Sequence, residues 1–398
     1  MKYIFLSIFA VLTNLYGLTL KEILELQKQD NKTKSIESLR DAKIAHSELF
    51  NTYDAPRLGA SVAEAEELTQ KGLEYTVNFS QNIANPFESD EKRKLSENLS
   101  KVAKQESEHL LHIRELDIAA KYYASCSAKA LQEQSQMLLE EHIQRAKRVD
   151  EAYKLGEISK KALLFSKLEL IKSQQNRREY QRVYSQEFGL LQESVPELAL
   201  ESLSCSDIVE PKRDLVLSDV SAHAELQTLE YKRNAASAQE RLYEAAFQNI
   251  GYELAYEDEL ATKRYRFGIN IPLTAFSSQN RLNKESALQE KLSLGYAKES
   301  LAQELAVGVK KQRQRVQALY DEYLLARDEM LPLTEELLEL SEYAYQEGEG
   351  GTLEYLEASR SFRESTIETL ELKKRYYYEL FELYKITDTH FGEEICTK

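Results

Sequence analysis

The sequence predicts a mainly helical protein with four β-strands, built from two copies of one unit. The chain of 398 residues contains only 6 Pro and 13 Gly, where average usage gives roughly 20 Pro and 28 Gly. It therefore lacks the turn residues that an all-β or doubly wound α/β protein needs. Two distant segments match each other at one constant offset, and short stretches of alternating apolar and polar residues lie between helix breakers. The scarcity of Pro and Gly predicts long helices, the constant offset predicts a duplication, and the alternation predicts strands.

The composition favours helices and argues against a nucleic-acid partner. Charged residues make up 30% of the chain and hydrophobic residues 42%, a mixture typical of long amphipathic helices. The chain has 52 Lys and Arg against 67 Asp and Glu, which gives a formal net charge of -15. Such a chain repels the phosphates of nucleic acid. The acidic balance either favours cations in a lumen or only keeps exposed helices soluble, and both alternatives stay open.

The N-terminus has the pattern of a secretory signal peptide. Lys2 supplies one positive charge, an apolar run extends from Tyr3 to Leu15, and Gly17 follows. We expect a signal peptide over residues 1–17 and a mature chain that begins at Leu18. A membrane anchor is the alternative, but the run is shorter than the ~20 apolar residues that span a bilayer. The sequence has no second long apolar run, so helices are not expected to cross a membrane.

The duplication is read from the constant offset. Gly59 aligns with Gly251, and far downstream Gly156 aligns with Gly348, in both cases 192 positions apart. This spacing is much longer than a solenoid repeat and indicates a duplicated, domain-sized unit. We therefore expect a first repeat over residues 18–195, a linker over 196–214, a second repeat over 215–390 and a C-terminal tail over 391–398.

Each repeat contains one predicted strand hairpin, at about residues 57–83 and 249–273. The alternation gives each strand one apolar and one polar face, and each strand has roughly the 9–11 residues that cross a hydrocarbon layer. Two soluble hairpins packed on helices are the alternative. The expected lipid-facing residues are Tyr75, Val77, Phe79, Tyr252, Leu254, Tyr256, Phe267, Ile269 and Ile271, and the expected lumen-facing residues are Asn78, Glu253, Glu257, Arg266 and Asn270.

Four strands do not close a barrel. Open strand edges are not stable in lipid, and bacterial barrels begin at ~8 strands. If these strands lie in a membrane, several copies of the chain must pool them.

The remaining sequence predicts long helical hairpins. No Pro or Gly occurs between Phe87 and Leu155, and a narrow apolar stripe with helical spacing runs through this segment. Polar residues such as Gln134 and His142 interrupt the stripe, which suits helices packed side by side in a shell with water on both sides. Shorter helices broken at those positions are the alternative. The return helix is expected after Gly156, with Ser159 as its N-cap.

With these features together, the sequence resembles the TolC family of outer-membrane efflux proteins. The resemblance covers the predicted mature chain and depends on the order and spacing of its parts. These are the opening Leu18–Leu24 segment with its Thr19–Glu22 capping box, the duplicated unit, the hairpins that end in Phe79–Ile83 and Gly268–Leu273, and the two helical tips. The Lys92-Arg93 and Asn280-Arg281 segments resemble the heavy-metal cation branch of the family.

The resemblance implies a homotrimer in the outer membrane of a Gram-negative bacterium. Three copies would form a barrel of about 12 strands, and the helical hairpins would form a tunnel across the periplasm. Such a protein is the exit duct of a tripartite efflux system for small molecules or metal cations, driven by an inner-membrane pump. The tips that would contact the periplasmic adaptor protein are Tyr153, Leu155, Gly156, Glu157 and Ser159, and Tyr345, Gly348, Glu349, Gly351 and Thr352.

The sequence shows no pattern for catalysis. It has no nucleophile elbow, phosphate loop or zinc-type cysteine spacing, so we expect neither an enzyme nor a cofactor or metal. His109 and His112 lie on one helix face, but two ligands are too few for a structural metal site, and a solvated surface pair is expected. The alternative function is a soluble periplasmic coiled-coil scaffold or adaptor without a pore.

The three cysteines allow one disulfide. Cys205 and Cys396 lie at nearly equivalent points of the two repeats, and an exported chain can join them. Two free thiols are the alternative. Cys126 lies within the predicted long helix and is expected to be a small buried residue.

Overall fold

The structure is a computed structural model that describes residues 17–52, 54–67, 70–196, 203–206, 208–245, 249–260 and 262–390. Most of the predicted signal peptide, residues 1–16, and the predicted tail, residues 391–398, lie outside the described residues. The helices are α1 (Leu20–Gln27), α2 (Asn31–Glu48), α3 (Pro86–Lys154), α4 (Lys160–Ser194), α5 (Ala224–Leu242), α6 (Ser278–Leu325), α7 (Leu331–Gln346) and α8 (Thr352–Thr387). The strands are β1 (Arg57–Glu67), β2 (Gln70–Ala84), β3 (Asn249–Asp258) and β4 (Lys263–Asn270).

The chain divides into two compact units, each assembled from separate segments. The first unit comprises the described parts of residues 1–34, 111–220 and 305–398, and the second those of residues 35–110 and 221–304. Each unit therefore takes segments from both predicted repeats. The second unit contains all four strands, and the first contains both helical tips.

The four predicted strands are present and form one antiparallel sheet in the order β1-β2-β3-β4. Within each hairpin the register is continuous, as where Val77 lies opposite Ala60 and Leu254 opposite Phe267. The two hairpins are joined by pairing of β2 with β3, where Phe79 lies opposite Leu254. The sequence predicted the hairpins but not this central pairing.

The longest helix is continuous, and the alternative of several shorter helices is wrong. Helix α3 starts at Pro86, a residue suited to the first helical turn because that turn does not use its backbone N–H groups. Helix α4 begins after Ser159, whose hydroxyl accepts a hydrogen bond from the Ala162 amide at 3.2 Å. The predicted N-cap is therefore confirmed, as is the capping box of α1, in which Thr19 and Glu22 bond reciprocally.

A single turn of π-helix, Ala326–Met330, joins α6 to α7. Pro332 lies two residues beyond it and has no N–H to donate to the carbonyl four residues earlier. The Leu331 amide reaches the Ala326 carbonyl instead, one residue further back than in an α-helix. The sequence pattern did not predict this π-helical turn.

The core of the first unit is rich in tyrosine. Tyr122 and Tyr123 of α3 pack with Tyr376, Tyr377 and Phe381 of α8, and these rings make edge-to-face contacts. The second unit has a smaller described core cluster, made of Leu95, Ala235, Ala238 and Leu242.

The tyrosine hydroxyls hold an irregular segment, the strap, which consists of residues 203–206 and 208–218. The Tyr377 hydroxyl donates to the Val209 carbonyl, and the Tyr123 hydroxyl accepts from the Val209 amide at 3.1 Å. The Tyr376 hydroxyl donates to the Lys212 carbonyl at 2.7 Å. Because the strap lacks regular secondary structure, these bonds satisfy backbone groups that would otherwise be unpaired.

A disulfide bond joins Cys126 of α3 to Cys205 of the strap, with 5.6 Å between their Cα atoms. The predicted Cys205–Cys396 disulfide is therefore wrong, because a sulfur atom forms only one such bond. The strap docks against the middle of α3, which brings Cys205 within the usual Cα separation of Cys126. Cys396 itself lies outside the described residues.

Candidate functional site

The sheet has one apolar face. Residues directly opposite each other in neighbouring strands lie on the same face, so the register places Val77 with Tyr256, and Tyr256 with Tyr265. Every residue expected to face lipid that lies within a strand belongs to this face, and Ile271 follows the end of β4. The large apolar members are Leu58, Val62, Leu73, Tyr75, Val77, Phe79, Ile83, Ile250, Tyr252, Leu254, Tyr256, Tyr265, Phe267 and Ile269.

The other face is polar and carries both signs of charge. The register places Asn78 beside Ala255 and Ala255 beside Arg266, and it places Glu253 opposite Gly268. All five residues expected to face a lumen, including Glu257 and Asn270, lie on this face. Arg266 forms an ion pair with Glu257.

Most of the large side chains on the apolar face are exposed, whereas a soluble protein would bury such a face. On the apolar face, Leu58 is 78% exposed, Phe267 is 62% exposed and Phe79 is 42% exposed. Along β2, from Lys71 to Ser80, exposed residues of this face alternate with half-buried residues of the polar face. A contiguous exposed apolar surface of this kind marks contact with another protein or with a membrane.

Charged pairs border the apolar face at the end where the hairpins turn. Lys71 lies 3.3 Å from Glu64 and 3.6 Å from Glu66, and Lys263 lies 3.8 Å from Asp258. Next to them, the rings of Tyr256 and Tyr265 are 5.2 Å apart, and the Tyr256 hydroxyl donates to Asp258 at 3.1 Å. Aromatic rings between an apolar band and charged residues are typical of a membrane interface.

The two outer strands leave the sheet open. β1 and β4 end the strand order, so each has one edge that pairs with no strand among the described residues. Such edges present a row of backbone donors and acceptors that can pair with another chain.

The two helical tips, both in the first unit, have the same backbone geometry. Gly156 follows α3 at a φ of 81°, and Gly348 follows α7 at a φ of 74°. After each glycine an amide bonds a carbonyl five residues earlier, from Glu157 to Ala152 and from Glu349 to Ala344, each at 3.0 Å. This is the Schellman arrangement, which favours glycine at the left-handed position.

The structure places the predicted contact residues in or beside these turns, but not all are free to bind a partner. Leu155 is 73% exposed and Glu157 and Glu349 are exposed. Tyr345 instead stacks on Tyr355, with the ring centroids 5.3 Å apart. Tyr153 lies in the last turn of α3, Ser159 and Gly351 cap the following helices, and Thr352 begins α8.

A buried polar cluster lies among the helices near the tips. Arg145 donates from Nε to the Tyr355 hydroxyl at 2.7 Å and also contacts Ser359. Arg363 forms an ion pair with Glu169 at 2.9 Å and lies 3.3 Å from the His142 ring. In the sequence, His142 stands out only as an interruption of the apolar stripe.

The cluster changes the pKa of two of its members. Burial, together with the charges of Arg145 and Arg363, lowers the pKa of His142 to about 4. Burial acts to raise the pKa of Glu169, but the hydrogen bonds and charges of Lys172 and Arg363 outweigh it, and the pKa is lowered. At neutral pH the cluster therefore contains a neutral histidine and an ionised carboxylate.

The two histidines on α3 lie in different surroundings. His109 lies 3.6 Å from Glu225. His112 is buried and lies 3.6 Å from Asp388 and 4.3 Å, between ring centroids, from His390. The expectation of a solvated surface pair is therefore wrong for His112. Within the described residues, no group of three or more His, Cys, Asp or Glu side chains is placed to hold a metal ion.

Solved outer-membrane channels share this fold. The outer-membrane protein VceC from Vibrio cholerae is 15% identical, with 94% of this chain and 97% of that chain covered and a TM-score of 0.76. The MtrE outer-membrane channel from Neisseria gonorrhoeae is 16% identical over 92% and 88% of the two chains, with a TM-score of 0.75. CusC, whose structures describe transmembrane channel formation, is 15% identical over 92% of this chain and 91% of that chain, with a TM-score of 0.76. The chain therefore has the fold that the sequence resemblance predicted.

The likeness to these channels is one of structure and is not matched by a likeness in sequence. No family model matches the chain, and no curated protein matches it. In the described part of the chain, no helix combines the length and hydrophobicity needed to cross a bilayer.

Proposed function

We propose that the protein is an outer-membrane channel and the exit duct of a tripartite efflux system in a Gram-negative bacterium. The observation that carries this proposal is the exposed apolar face of the sheet, bordered by tyrosines and charged pairs. The shared fold of outer-membrane channel proteins supports it. In this proposal the protein performs no reaction and passes small molecules or metal cations from the periplasm to the exterior.

The height of the apolar face agrees with a membrane. On β2 this face extends from Leu73 to Ile83, with Gln81 as a polar exception. That is about ten residue steps, or ~34 Å along the strand at ~3.4 Å per residue. A strand tilted by ~40° would cover ~26 Å of membrane, close to the ~25 Å apolar band of outer-membrane barrels.

The open sheet edges require several copies of the chain. In a bilayer an unpaired edge costs several kcal/mol for each unsatisfied group, so β1 of one copy must pair with β4 of the next. Three copies supply about 12 strands, an even number within the range of bacterial barrels. The polar face, with Asn78, Glu253, Glu257, Arg266 and Asn270, would then line the water-filled lumen.

The helical tips are the proposed site of contact with a periplasmic adaptor protein, through which an inner-membrane pump drives transport. Leu155, Glu157 and Glu349 are exposed at turns fixed by Gly156 and Gly348. An exposed side chain on a rigid turn loses little conformational entropy on binding.

Fractionation and transport measurements test this function. The protein should sediment with the outer membrane, need detergent for release and give ion conductance in a planar lipid bilayer. Deletion of the gene should increase sensitivity to a panel of metals, dyes, bile-type detergents and antibiotics, and the wild-type gene should restore resistance. A protein released without detergent, and without conductance, would instead support the soluble periplasmic scaffold.

A further inference from the structure

Two exposed apolar ridges lie on helices of the first unit. On α4 the ridge consists of Leu164, Leu168 and Ile171, and on α7 it consists of Leu333, Leu337, Leu340 and Tyr343. Their spacing of three or four residues places each set along one side of its helix. Each of these side chains is between 49% and 65% exposed. The ridges therefore form a second apolar side on each helix, distinct from the side that packs within the unit.

The surroundings of the ridges carry opposite charges. The α4 ridge is bordered by the exposed Lys160, Lys161 and Lys167, and within the chain Lys167 approaches Asp150 only at 3.8 Å. The α7 ridge is bordered by the exposed Glu336, Glu339 and Glu347. Two α4 ridges would bring lysines together, and two α7 ridges would bring glutamates together. Only the pairing of an α4 ridge with an α7 ridge is attractive.

The two ridges also run in compatible directions and lie at the same distance from the helical tips. Helix α4 runs away from its tip, whereas α7 runs towards its tip, so two such helices side by side are antiparallel. The Glu169–Arg363 pair joins α4 to α8, and the Arg148–Glu342 pair joins α3 to α7, which places both tips at the same end of the unit. At ~1.5 Å per residue, the positions that then meet are Leu164 with Leu340 and Tyr343, Leu168 with Leu337, Lys160 with Glu347, and Lys167 with Glu339.

We propose that the α4 ridge of one copy packs against the α7 ridge of the next copy. Within its own chain α8 already contacts both helices, through Glu169–Arg363 on α4 and through Tyr345–Tyr355 on α7, and the ridges remain exposed. A head-to-tail contact between two different surfaces closes a ring in which every copy uses both. The inference rests on the proposed assembly from several copies and names the helical surfaces that would hold it together.

Paired cysteines test this contact directly. In a Cys396→Ser background that keeps the native disulfide, one chain carries Leu168→Cys and Leu337→Cys together. Mild oxidation of the detergent-solubilised protein should convert most of it into covalent dimers and trimers on a non-reducing gel. Each single substitution should stay at the monomer mass, because the contact joins two different surfaces.

A matched control uses exposed positions of the same helices that are turned away from the ridges. The Arg177→Cys/Glu335→Cys chain should give little cross-linked product under the same oxidation. Dimers from Leu168→Cys alone would show that like ridges meet and would overturn the proposal. An intact trimer that the paired cysteines leave uncross-linked would overturn the ridge contact but not the proposed channel, whereas a monomeric protein in detergent would overturn both.

Charge reversal gives an independent measurement. Lys167→Glu or Glu339→Lys alone should lower the fraction of trimer, and the two together should restore it, because the attraction is re-formed with the signs exchanged. Equal losses in the single and double variants would contradict the pairing. Trimer content is measured by native mass or by size exclusion in detergent.

Discussion

The side chain of His142 lies in a setting that opposes its protonation. The ring is buried, and its pKa of about 4 reflects this burial and the positive charges of Arg145 and Arg363. In the unfolded chain the pKa of a histidine ring is about 6.5. Between these values the unfolded state binds a proton that the folded state does not, so folding stability falls as the pH drops from ~6.5 to ~4.

We therefore predict that His142→Asn reduces the loss of stability on acidification. At ~1.4 kcal/mol per pKa unit, the wild-type protein should lose up to about 3 kcal/mol through this residue. Denaturant unfolding in detergent, followed by circular dichroism at pH 7 and pH 4.5, measures the difference. Replacing the exposed His46 with Asn is the control and should keep the wild-type slope. An unchanged slope in His142→Asn would contradict the assignment.

The tip glycines are required for their backbone conformation and not for lack of space. A Cβ atom at Gly156 or Gly348 would meet no heavy atom within 4 Å, yet both glycines have a positive φ. Gly348→Val should cost about 1–3 kcal/mol of local strain, disturb the turn and abolish complementation in the resistance assay, with trimer formation intact. Gly348→Asn should retain most activity, because Asn tolerates the left-handed region.

The control for the tips is a glycine with ordinary helical geometry. Gly295 of α6 also has no heavy atom near its Cβ position and has no positive φ, so Gly295→Ala should leave resistance unchanged. If Gly348→Val also complemented fully, the tip would not be the adaptor contact.

The sequence revealed the tip glycines because a left-handed helix end is a local requirement. It did not reveal the Arg145–Tyr355 bond, which joins residues 210 positions apart. The cysteine pairing failed for a similar reason. The equivalent positions of Cys205 and Cys396 in the two predicted repeats suggested a disulfide between them. The strap instead brings Cys205 to Cys126. The path of the strap is set by the tertiary packing of Tyr123, Tyr376 and Tyr377.

Among the structural elements, the strap depends on one covalent bond and several hydroxyl contacts. The Cys126–Cys205 bond closes a loop with a sequence separation of 79, for which chain-entropy estimates give about 4.5 kcal/mol. We predict that reductant lowers the free energy of unfolding of the wild-type protein by about this amount. Cys126→Ser should show the same decrease without reductant. Cys396→Ser should behave as wild type in both conditions, measured by denaturant unfolding. Equal stability of reduced and oxidised wild type would contradict this role.

The two faces of β2 give the sharpest test of membrane contact. Val77 lies on the apolar face, and its neighbour Thr76 lies on the polar face. Val77→Lys should cost about 2–4 kcal/mol near the middle of a bilayer and remove most of the protein from the outer-membrane fraction. Thr76→Lys should still insert, because the proposed lumen is water-filled, and should change only conductance. Equal insertion of the two variants would exclude a lipid-facing role.

The sequence predicted these faces because an alternation of period two determines them within each strand alone. It did not predict the pairing of β2 with β3, which brings Phe79 to Leu254 across a long stretch of helices. In the same way, the lack of Pro and Gly predicted α3, whereas the π-turn near Pro332 depends on how one helix accommodates a missing donor.

At the scale of the whole molecule, neither predicted repeat is an independent structural unit. Each compact unit contains segments from both predicted repeats, and each hairpin contributes two strands to a single sheet. If it lies in a membrane, as proposed, a sheet that combines both predicted repeats and still has two open edges needs further copies of the chain. The number of strands per chain therefore determines whether the assembly closes.

Removing one hairpin from every chain tests this dependence. Gly251 and Asn270 lie opposite each other, so deletion of Tyr252–Ile269 joins two positions that are already close. Three such chains would pool about six strands, fewer than the ~8 of the smallest bacterial barrels. We predict that the shortened protein stays out of the outer membrane and gives no conductance, while its first unit still forms the Cys126–Cys205 bond on a non-reducing gel.

A second variant separates strand number from damage to the loop. Replacing residues 259–262 with Asn-Gly shortens the turn between β3 and β4 and keeps all four strands, because Asn-Gly suits a two-residue hairpin turn. This variant should insert and conduct as wild type. If the chain without Tyr252–Ile269 inserted equally well, the second hairpin would not be part of the barrel wall, and assembly would depend on the helices alone.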